Sequence, residues 1–260
     1  MRIPNFKTDA GAMRYKDTVG TFIAPEVAKF VIEIAQQHIS QGAKRVLDVA
    51  CGPGTVSLRV AQQNPNADIV GADYSAAMIR QCVQSSEVMG LQNTQFVEMN
   101  ANDIRFDGPP FDLIVCNLAF PFFSKPAESM KGLYDSVAAS GHVVLSVPGN
   151  ETWSEFFVIA EDVLGDAIQM AKPFLIKMEQ ASKLPAAMTE AGFRDIRVSR
   201  HKLPYTFSTG HDVLAFFNEL FALLSYAPPL VQAEIASAID TQCPNGFTMH
   251  YEAVIVEAIK

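Results

Sequence analysis

The sequence lacks any closely paired cysteines. Its four cysteines, Cys51, Cys82, Cys116 and Cys243, are scattered without C-x-x-C spacing. Zinc sites and thioredoxin-like redox sites depend on such spacing, so we expect no metal site and no disulfide. The default for these residues is a reduced, buried thiol in a cytoplasmic protein. Cys51 and Cys116 are interpreted as small core-like residues and not as nucleophiles.

An excess of basic residues is also missing. Lys and Arg total 20 against 28 Asp and Glu, which gives a formal net charge of −8. Phosphate binding needs a basic face, so we expect no nucleic-acid partner. No apolar stretch approaches the ~18 residues of a membrane span, and the first residues contain no apolar signal-peptide core. We therefore expect a cytoplasmic protein with no membrane span and no cleaved signal.

The composition that remains is that of a globular protein. Hydrophobic residues make up 49% of the chain and charged residues 18%, which excludes a disordered class. A length of 260 residues suits one domain with a large core, or one domain with insertions.

Short apolar runs alternate with amphipathic segments along the chain. Strands are predicted at 45–50, 67–72, 94–99, 111–117 and 142–147, and helices at 55–63, 75–89 and 124–139. Such alternation is typical of a parallel α/β sheet. Beyond Pro148 the pattern changes to longer helical stretches, and two further strands are predicted near 192–198 and 247–259.

A strand followed by two glycines is the central motif. Val46–Ala50 is an apolar run interrupted only by Asp48, and Gly52 and Gly54 flank a single residue just after it. Glycine suits a tight strand-to-helix turn, because a backbone without a Cβ can bend sharply and approach a ligand. A carboxylate near the end of a buried strand needs a cationic or hydrogen-bonding partner.

A second acid ends the next predicted strand. Residues 67–73 are mostly apolar and finish in Asp73, and in doubly wound sheets an acid at this place binds the ribose hydroxyls of an adenosine-containing cofactor. A nicotinamide-dependent oxidoreductase is one interpretation. The dinucleotide fingerprint needs a third glycine for close packing of helix on strand, and Ser57 occupies that position. The NAD interpretation is therefore ranked lower.

Taken together, these motifs resemble the class I S-adenosylmethionine-dependent methyltransferases, within the ubiquinone/menaquinone-biosynthesis-like group that acts on small molecules. The matching positions are Asp48, Ala50, Gly52 and Gly54 in the first motif, Asp73 in the second, residues 100–106 after strand three, and residues 111–117 in strand four. The motifs follow the order of the family over about residues 44–147.

The resemblance implies a Rossmann-like, doubly wound α/β sheet of seven strands, mostly parallel with the last strand antiparallel. It also implies a single methyltransferase domain with helical insertions over the active site. In this scheme residues 1–40 form an N-terminal lid and helix, 41–148 the cofactor-binding core, and 149–180 and 204–246 the insertions that cap the substrate. The implied cofactor is S-adenosyl-L-methionine, and its product is S-adenosyl-L-homocysteine.

The resemblance also assigns cofactor-binding residues. Asp73 is expected to accept hydrogen bonds from the ribose, and Gly52 and Gly54 to let the backbone approach the methionine portion. Tyr74 and Met78 are expected to pack near adenine. The full predicted set is Asp48, Ala50, Cys51, Gly52, Gly54, Asp73, Tyr74, Met78, Asn100, Ala101 and Asn117.

No motif identifies a catalytic base. Methyl transfer from a sulfonium is an in-line displacement, in which the main task of the enzyme is positioning, and a base is needed only when the acceptor must lose a proton. His201 and His211 are candidates because histidine titrates near neutrality, although a lone histidine is more often an ordinary surface or core residue. Tyr15, in the predicted lid, is the third candidate.

The methyl acceptor is expected to be a small, fairly apolar molecule. Aromatic residues at helical spacing are compatible with an apolar acceptor pocket and equally with simple core; they are Trp153, Phe156, Phe157, Phe216, Phe217 and Phe221. Residues 117–119 (Asn-Leu-Ala) depart from the pattern of the quinone enzymes and are reminiscent of the malonyl-carrier-protein O-methyltransferases. The chain is compatible with a homodimer.

Two alternatives come from other functional classes. The first is an adenosylmethionine-binding regulator or a cyclase that reuses the same fold, since fold does not determine function. The second is the NAD-dependent oxidoreductase. Preferential binding of NAD over adenosylmethionine would reverse this ranking.

Overall fold

The computed structural model describes residues 8–165, 182–221 and 227–260. Residues 166–180 of the first predicted insertion and 222–226 of the second lie outside this description. The described residues fall into two compact units. The larger unit draws on Ile3–Val147, Lys183–Ser199 and Val254–Lys260, and the smaller unit on Pro148–Ser182 and Arg200–Ala253.

Helices and strands alternate as the sequence predicts. The helices are α1 (Asp9–Asp17), α2 (Val19–Phe22), α3 (Ala24–Ser40), α4 (Ser57–Gln63), α5 (Ala76–Met89), α6 (Pro126–Ser136), α7 (Ser154–Leu164), α8 (Leu184–Glu190), α9 (Gly210–Phe221) and α10 (Pro229–Gln242). The strands are β1 (Arg45–Val49), β2 (Asp68–Asp73), β3 (Thr94–Glu98), β4 (Phe111–Asn117), β5 (Val137–Pro148), β6 (Arg194–Phe207) and β7 (Phe247–Ile259). Within the described ranges, no helix has both the length and the apolar character to cross a membrane.

The strands form one sheet in the order β3-β2-β1-β4-β5-β7-β6. β1 pairs in parallel with β2 and β4, and β2–β3 and β4–β5 are parallel as well. The sheet is mostly parallel with one antiparallel strand, which confirms the predicted fold class. The strand order reverses between β1 and β4, and ligands of open α/β sheets bind beyond the carboxyl ends of the strands at such a switch point.

The central strands are apolar because the sheet is buried on both faces. Leu47 in β1, Ile69 in β2 and Ile114 in β4 have no exposed surface. Helix α3 covers part of the sheet with a buried stripe of Val27, Ala28, Val31 and Ala35, and Pro25 stands in its first turn, where a missing N–H costs nothing. This packing fixes the strand ends that carry the site.

The junction between α6 and β5 differs from the prediction. The sequence predicts a helix to Ala139 and a strand from His142, whereas α6 ends at Ser136 and β5 begins at Val137. Val137 is extended and pairs with Phe111 of β4 across a register shift. A β-branched residue fits an extended, half-buried strand better than a helix end, so sheet pairing overrides the helical pattern here.

The smaller unit is built around a buried tryptophan. Trp153 is fully buried, and its ring makes edge contacts with Tyr205, Phe216, Phe217 and Tyr251 at centroid distances of 5.0 to 5.9 Å. Phe156 stacks on Phe217 at 4.2 Å and is buried as well. Trp153, Phe156 and Phe217 therefore serve as core of this unit.

Candidate functional site

The turn after β1 adopts backbone conformations that few residues tolerate. Ala50 has a φ of 56°, Gly52 of 56° and Gly54 of 88°, all in the left-handed region that favours glycine. A Cβ on Gly54 would lie 2.9 Å from the Leu58 side chain and 3.2 Å from Cys82 Sγ. The non-glycine Ala50 stores local strain, which tends to occur at functional turns. The predicted G-x-G pattern thus has a geometric reason.

Asp73 holds this turn from the end of β2. Its Oδ2 accepts a hydrogen bond from Gly52 N (2.9 Å), and its Oδ1 accepts one from Ser75 N at the start of α5 (2.9 Å). Burial raises the pKa of Asp73, and the hydrogen bonds from the Ser75 and Gly52 amides act in the opposite direction. An acid so placed bridges the turn after β1 and the helix after β2, where the resemblance expects the ribose.

Asp48 is buried and bonded to Ser57. Its Oδ2 accepts hydrogen bonds from the Ser57 hydroxyl (2.5 Å) and the Ser57 amide (3.1 Å) at the start of α4. Ser57 stands where the dinucleotide fingerprint has its third glycine, and here its side chain fixes the carboxylate. Burial raises the pKa of Asp48 to about 7, although both bonds to Ser57 favour the ionised form.

The raised pKa of Asp48 predicts a pH dependence of stability. In the folded chain the carboxyl binds a proton up to about pH 7, whereas an unfolded Asp loses it near pH ~4. The folded state therefore holds more protons in this window, and the free energy of unfolding should fall as pH rises from ~4 to ~7, by up to about 4 kcal/mol from this residue. Urea unfolding of the wild type and Asp48→Asn at several pH values measures the effect.

The difference between the two proteins isolates Asp48 from other titrating groups. Asparagine keeps an oxygen that accepts the Ser57 bonds but does not titrate. The free energy of unfolding of the wild type should therefore fall relative to that of Asp48→Asn as pH rises. Parallel curves from pH 4 to 8 would show that Asp48 titrates normally.

The cysteines beside the glycine turn, Cys51 and Cys82, are packed thiols. Cys82 Sγ donates to the Gly52 carbonyl (3.1 Å), and Cys51 Sγ lies 3.7 Å from the same oxygen. A hydrogen bond with Cys82, together with burial, raises the pKa of Cys51 well above its usual range. A thiol that stays protonated is a poor nucleophile, so Cys51 acts here by packing, and Cys82 donates a hydrogen bond to the turn.

Tyr15 of α1 lies over the glycine turn. Its Cε1 would be 3.8 Å from a Cβ on Gly52, and its ring packs against the buried cluster of Ala12, Ala77 and Met78. Burial raises the pKa of Tyr15, and the charges of Asp73 and Asp48 add to that effect. The hydroxyl is therefore protonated at neutral pH and suited to donating a hydrogen bond rather than to accepting a proton.

The predicted adenine contacts lie around Asp73. Tyr74 follows directly and is part-exposed, and Met99 N donates to Asp73 O (2.9 Å), which brings the chain after β3 alongside. In that chain Ala101 is buried, and Asn100 Oδ1 accepts hydrogen bonds from the Asn102 amide and side chain. Met78, by contrast, is buried beneath α1.

Asn117 is held by the protein itself. Its Nδ2 donates to Ala24 O (3.2 Å), and its Oδ1 accepts from the Ser146 hydroxyl (2.6 Å). These bonds tie the ends of β4 and β5 to the start of α3. The predicted contact of Asn117 with the cofactor remains a prediction, and its bonding here is structural.

The predicted histidines belong to the other unit. His201 is part-buried in β6, and His211 is exposed in the first turn of α9; both are in the smaller unit. Ser57 and Ser146 are site-forming residues that sequence reasoning missed as such. Ser57 had a signal, because a serine nine residues after a buried Asp is placed to bond it once the turn is recognised; Ser146 had none.

Two grooves lie in the described part of the larger unit, and the smaller of these borders the glycine turn. A cavity of about 280 Å³ is lined by Pro53 of the turn with Gly20, Thr21 and Gln81, among others. An open groove of about 870 Å³ is lined by Phe111 and Val137, which begin β4 and β5. That groove is at the amino ends of these strands, away from Asp73 and Gly52.

Comparison with known proteins points to one family. The family model described as "methyltransferase domain" matches residues 40–192. Malonyl-[acyl-carrier protein] O-methyltransferase of Paenibacillus sp. (strain JDR-2) is 24% identical over 226 residues, which cover 86% of this chain and 82% of the relative. Trans-aconitate 2-methyltransferase of Streptomyces coelicolor is 33% identical over 107 residues, covering 41% and 35% respectively.

A solved structure shares the fold. Phosphoethanolamine N-methyltransferase 2 of Haemonchus contortus, in complex with phosphomonomethylethanolamine and S-adenosylhomocysteine, superposes with a TM-score of 0.61 at 15% identity. The match covers 98% of this chain and 58% of that chain.

Proposed function

Since the chain belongs to the methyltransferase domain family and is an S-adenosyl-L-methionine-dependent methyltransferase, we propose that it methylates a carboxylate oxygen of a small, largely apolar molecule. The assignment of the cofactor rests on one observation: the carboxylate of Asp73 accepts a hydrogen bond from Gly52 N and so holds the glycine turn. The choice of a carboxylate acceptor rests on the substrates in the names of two relatives and on the protonated hydroxyl of Tyr15. Tyr15 lies over the cofactor edge, by which we mean Asp48, the glycine turn and Asp73 at the carboxyl ends of β1 and β2.

The residues at the cofactor edge fit the parts of the methyl donor. Asp73 offers carboxylate oxygens to the ribose diol, and the backbone at Gly52 and Gly54, which carries no Cβ, accommodates the methionine portion. Asp48, buried close by and titrating near neutrality, is stabilised in its ionised form when a cationic ligand is adjacent. We assign Tyr74, Asn100 and Ala101 to the adenine. We assign Tyr15 to the lid that covers the donor.

A carboxylate acceptor needs no catalytic base. When bound, the sulfonium donor would supply a methyl group to a carboxylate oxygen, which attacks the methyl carbon in line with the sulfur: an O–C bond would form, the S–C bond would break, and sulfur would leave with the electron pair. Carboxylates are already ionised at neutral pH. This chemistry suits the larger unit, where Tyr15 lies over the glycine turn and is protonated; the predicted histidines belong to the smaller unit. The chain's task is to position the acceptor oxygen against the methyl carbon and to exclude water.

The relatives support a carboxylate. The names of both sequence relatives above, a malonyl-carrier-protein O-methyltransferase and a trans-aconitate methyltransferase, describe enzymes acting on compounds that carry carboxylates. The former aligns along most of both chains. The Asn-Leu-Ala sequence at 117–119 supports the same acceptor class. We expect an apolar acceptor body because two aromatic residues of the insertions, Phe157 and Phe216, are only partly buried, unlike the core residues Trp153, Phe156 and Phe217.

The chemical stability of the product tests this proposal. The protein is incubated with methyl-labelled adenosylmethionine and a series of mono- and dicarboxylic acids, offered free and as carrier-protein thioesters. Methyl esters release methanol in mild alkali, so the label should be alkali-labile. Label that survives alkali would indicate transfer to nitrogen, carbon or a hydroxyl and would contradict a carboxylate acceptor.

The histidine candidates give a second readout in the same assay. General base catalysis contributes roughly 10²–10⁴-fold, so for a carboxylate acceptor His201→Gln and His211→Gln should each keep kcat within about threefold of the wild type. A loss of 100-fold or more in either variant would assign a base and exclude this mechanism.

Two further features are proposed with the function. We treat the chain as one functional methyltransferase domain in which both units are required. We place it in the cytoplasm, because its four cysteines are free thiols and free thiols are typical of reducing compartments.

A further inference from the structure

Two histidines and a glutamate from distant parts of the sequence meet in the larger unit. They are His38 in the last turn of α3, His142 in β5 and Glu257 in β7. His38 Nε2 lies 2.8 Å from Glu257 Oε1, and His142 Nδ1 lies 3.2 Å from the same oxygen. The two imidazole rings stack with centroids 3.9 Å apart. One ligand atom from each residue lies within 4.8 Å of the other two.

This cluster is separate from the cofactor edge. His142 pairs with Leu113, near the start of β4, and Leu113 pairs with Val46, near the start of β1. The residues that form the cofactor edge follow the carboxyl ends of these strands. The methyl-transfer function therefore leaves the three side chains without a role.

The protein does not use all the polar atoms of the cluster. Nδ1 of His142 is buried, and its 3.2 Å approach to Glu257 Oε1 is an ion-pair distance without the geometry of a hydrogen bond. Two imidazoles in the neutral form that binds a metal ion, together with one carboxylate, make a ligand set with a net charge of −1.

We propose that His38, His142 and Glu257 bind a zinc ion, with water in the fourth position. Two histidines and one glutamate are a ligand set that Zn²⁺ accepts in tetrahedral geometry, at metal–ligand distances of about 2.0–2.2 Å. Ligand atoms in such a site are about 3.3–3.5 Å apart, by the geometry of a tetrahedron with those distances. The present separations of 2.8 and 3.2 Å need only a slight opening, and Zn²⁺ would replace the His38–Glu257 hydrogen bond.

An ion can reach the cluster. The side chains of His38, His142 and Glu257 are 11%, 25% and 17% exposed. Arg197 interacts electrostatically with both His142 and Glu257 and opposes a cation there. A bound zinc ion would link helix α3 to the neighbouring strands β5 and β7.

Zinc titration of the chelator-treated full-length protein tests the proposal. Calorimetry with zinc chloride should show one site per chain with submicromolar affinity. His142→Gln and Glu257→Gln should each weaken binding at least 30-fold, because each removes one of three ligands. Arg197→Gln should strengthen it several-fold. His250→Gln is the matched control, since His250 also contacts a glutamate, Glu155, through Nδ1 at 2.7 Å but has no second histidine beside it.

Two measurements on the wild type keep the test decisive if a variant does not fold. Zinc should shift the ring-proton resonances of His38 and His142 and leave those of His250 unchanged, and Co²⁺ should give the intense visible absorption of a four-coordinate site. Absence of binding at 100 µM zinc, or affinity unchanged in both ligand variants, would overturn the proposal and leave an ordinary histidine–glutamate ion pair.

Discussion

Replacing Asp73 by alanine should weaken the binding of S-adenosylhomocysteine by at least about 100-fold. Hydrogen bonds to a charged group contribute roughly 1.5–3 kcal/mol each, and two to the ribose diol correspond to about two to four powers of ten in Kd. The substitution also leaves the Gly52 and Ser75 amides without the acceptor they now have, so the glycine turn loses the hydrogen bond that holds it. Isothermal titration calorimetry measures the change directly.

Asp68 provides a matched control for this experiment. It begins the same strand that Asp73 ends, its side chain is 57% exposed, and it contacts Arg45. Asp68→Ala should leave the Kd within twofold of the wild type, and Asp73→Asn, which keeps one acceptor oxygen, should fall between the wild type and Asp73→Ala. Equal affinities for the wild type and Asp73→Ala would remove Asp73 from the cofactor site.

Gly210→Ala should destabilise the protein by about 3–5 kcal/mol. Gly210 begins α9 and packs against α10, where an added Cβ would lie 2.7 Å from Ala236 Cα and closer still to its carbonyl oxygen. Backbone atoms cannot move aside as a flexible side chain can, and overpacking of this kind is among the severe effects of single substitutions. The Gly210 amide also donates to Asp240 Oδ1 (2.6 Å), which anchors the contact. Urea unfolding should show the loss.

Gly165→Ala separates steric overlap from backbone strain. Gly165 has a φ of 51° and a ψ of −130°, and no atom lies within 4 Å of an added Cβ, so alanine there meets backbone strain alone, about 1–3 kcal/mol. If Gly210→Ala costs no more than Gly165→Ala, the close approach of α9 and α10 is not tight in solution.

The cofactor edge could be predicted because its signals are local. A buried strand, a turn that needs positive φ at Gly52 and Gly54, and an acid at the end of the next strand each leave a short-range trace in the sequence. The parallel α/β sheet then follows from the alternation of strands and helices. Ser57 shows the limit of this reasoning. The sequence reveals that Ser57 replaces the third glycine, but the hydrogen bonds from Ser57 to Asp48 appear only when α4 is placed beside β1.

Long-range contacts leave no such trace. His38, His142 and Glu257 are brought together by the packing of α3 and by the adjacency of β5 and β7, which periodicity does not encode. Likewise, the start of β5 at Val137 depends on pairing with β4, a tertiary effect that outweighs local helical propensity. The aromatic residues around Trp153 fitted core and pocket equally well until their burial was known.

Calorimetric titration of the wild-type protein with S-adenosylhomocysteine and with NAD⁺ tests the central claim most directly. The arrangement of Asp73, the glycine turn and Ser57 predicts micromolar binding of the adenosyl ligand, about −8 kcal/mol, and no measurable binding of NAD⁺. Binding of NAD⁺ together with no measurable binding of S-adenosylhomocysteine would contradict the assignment of this edge to the methyl donor.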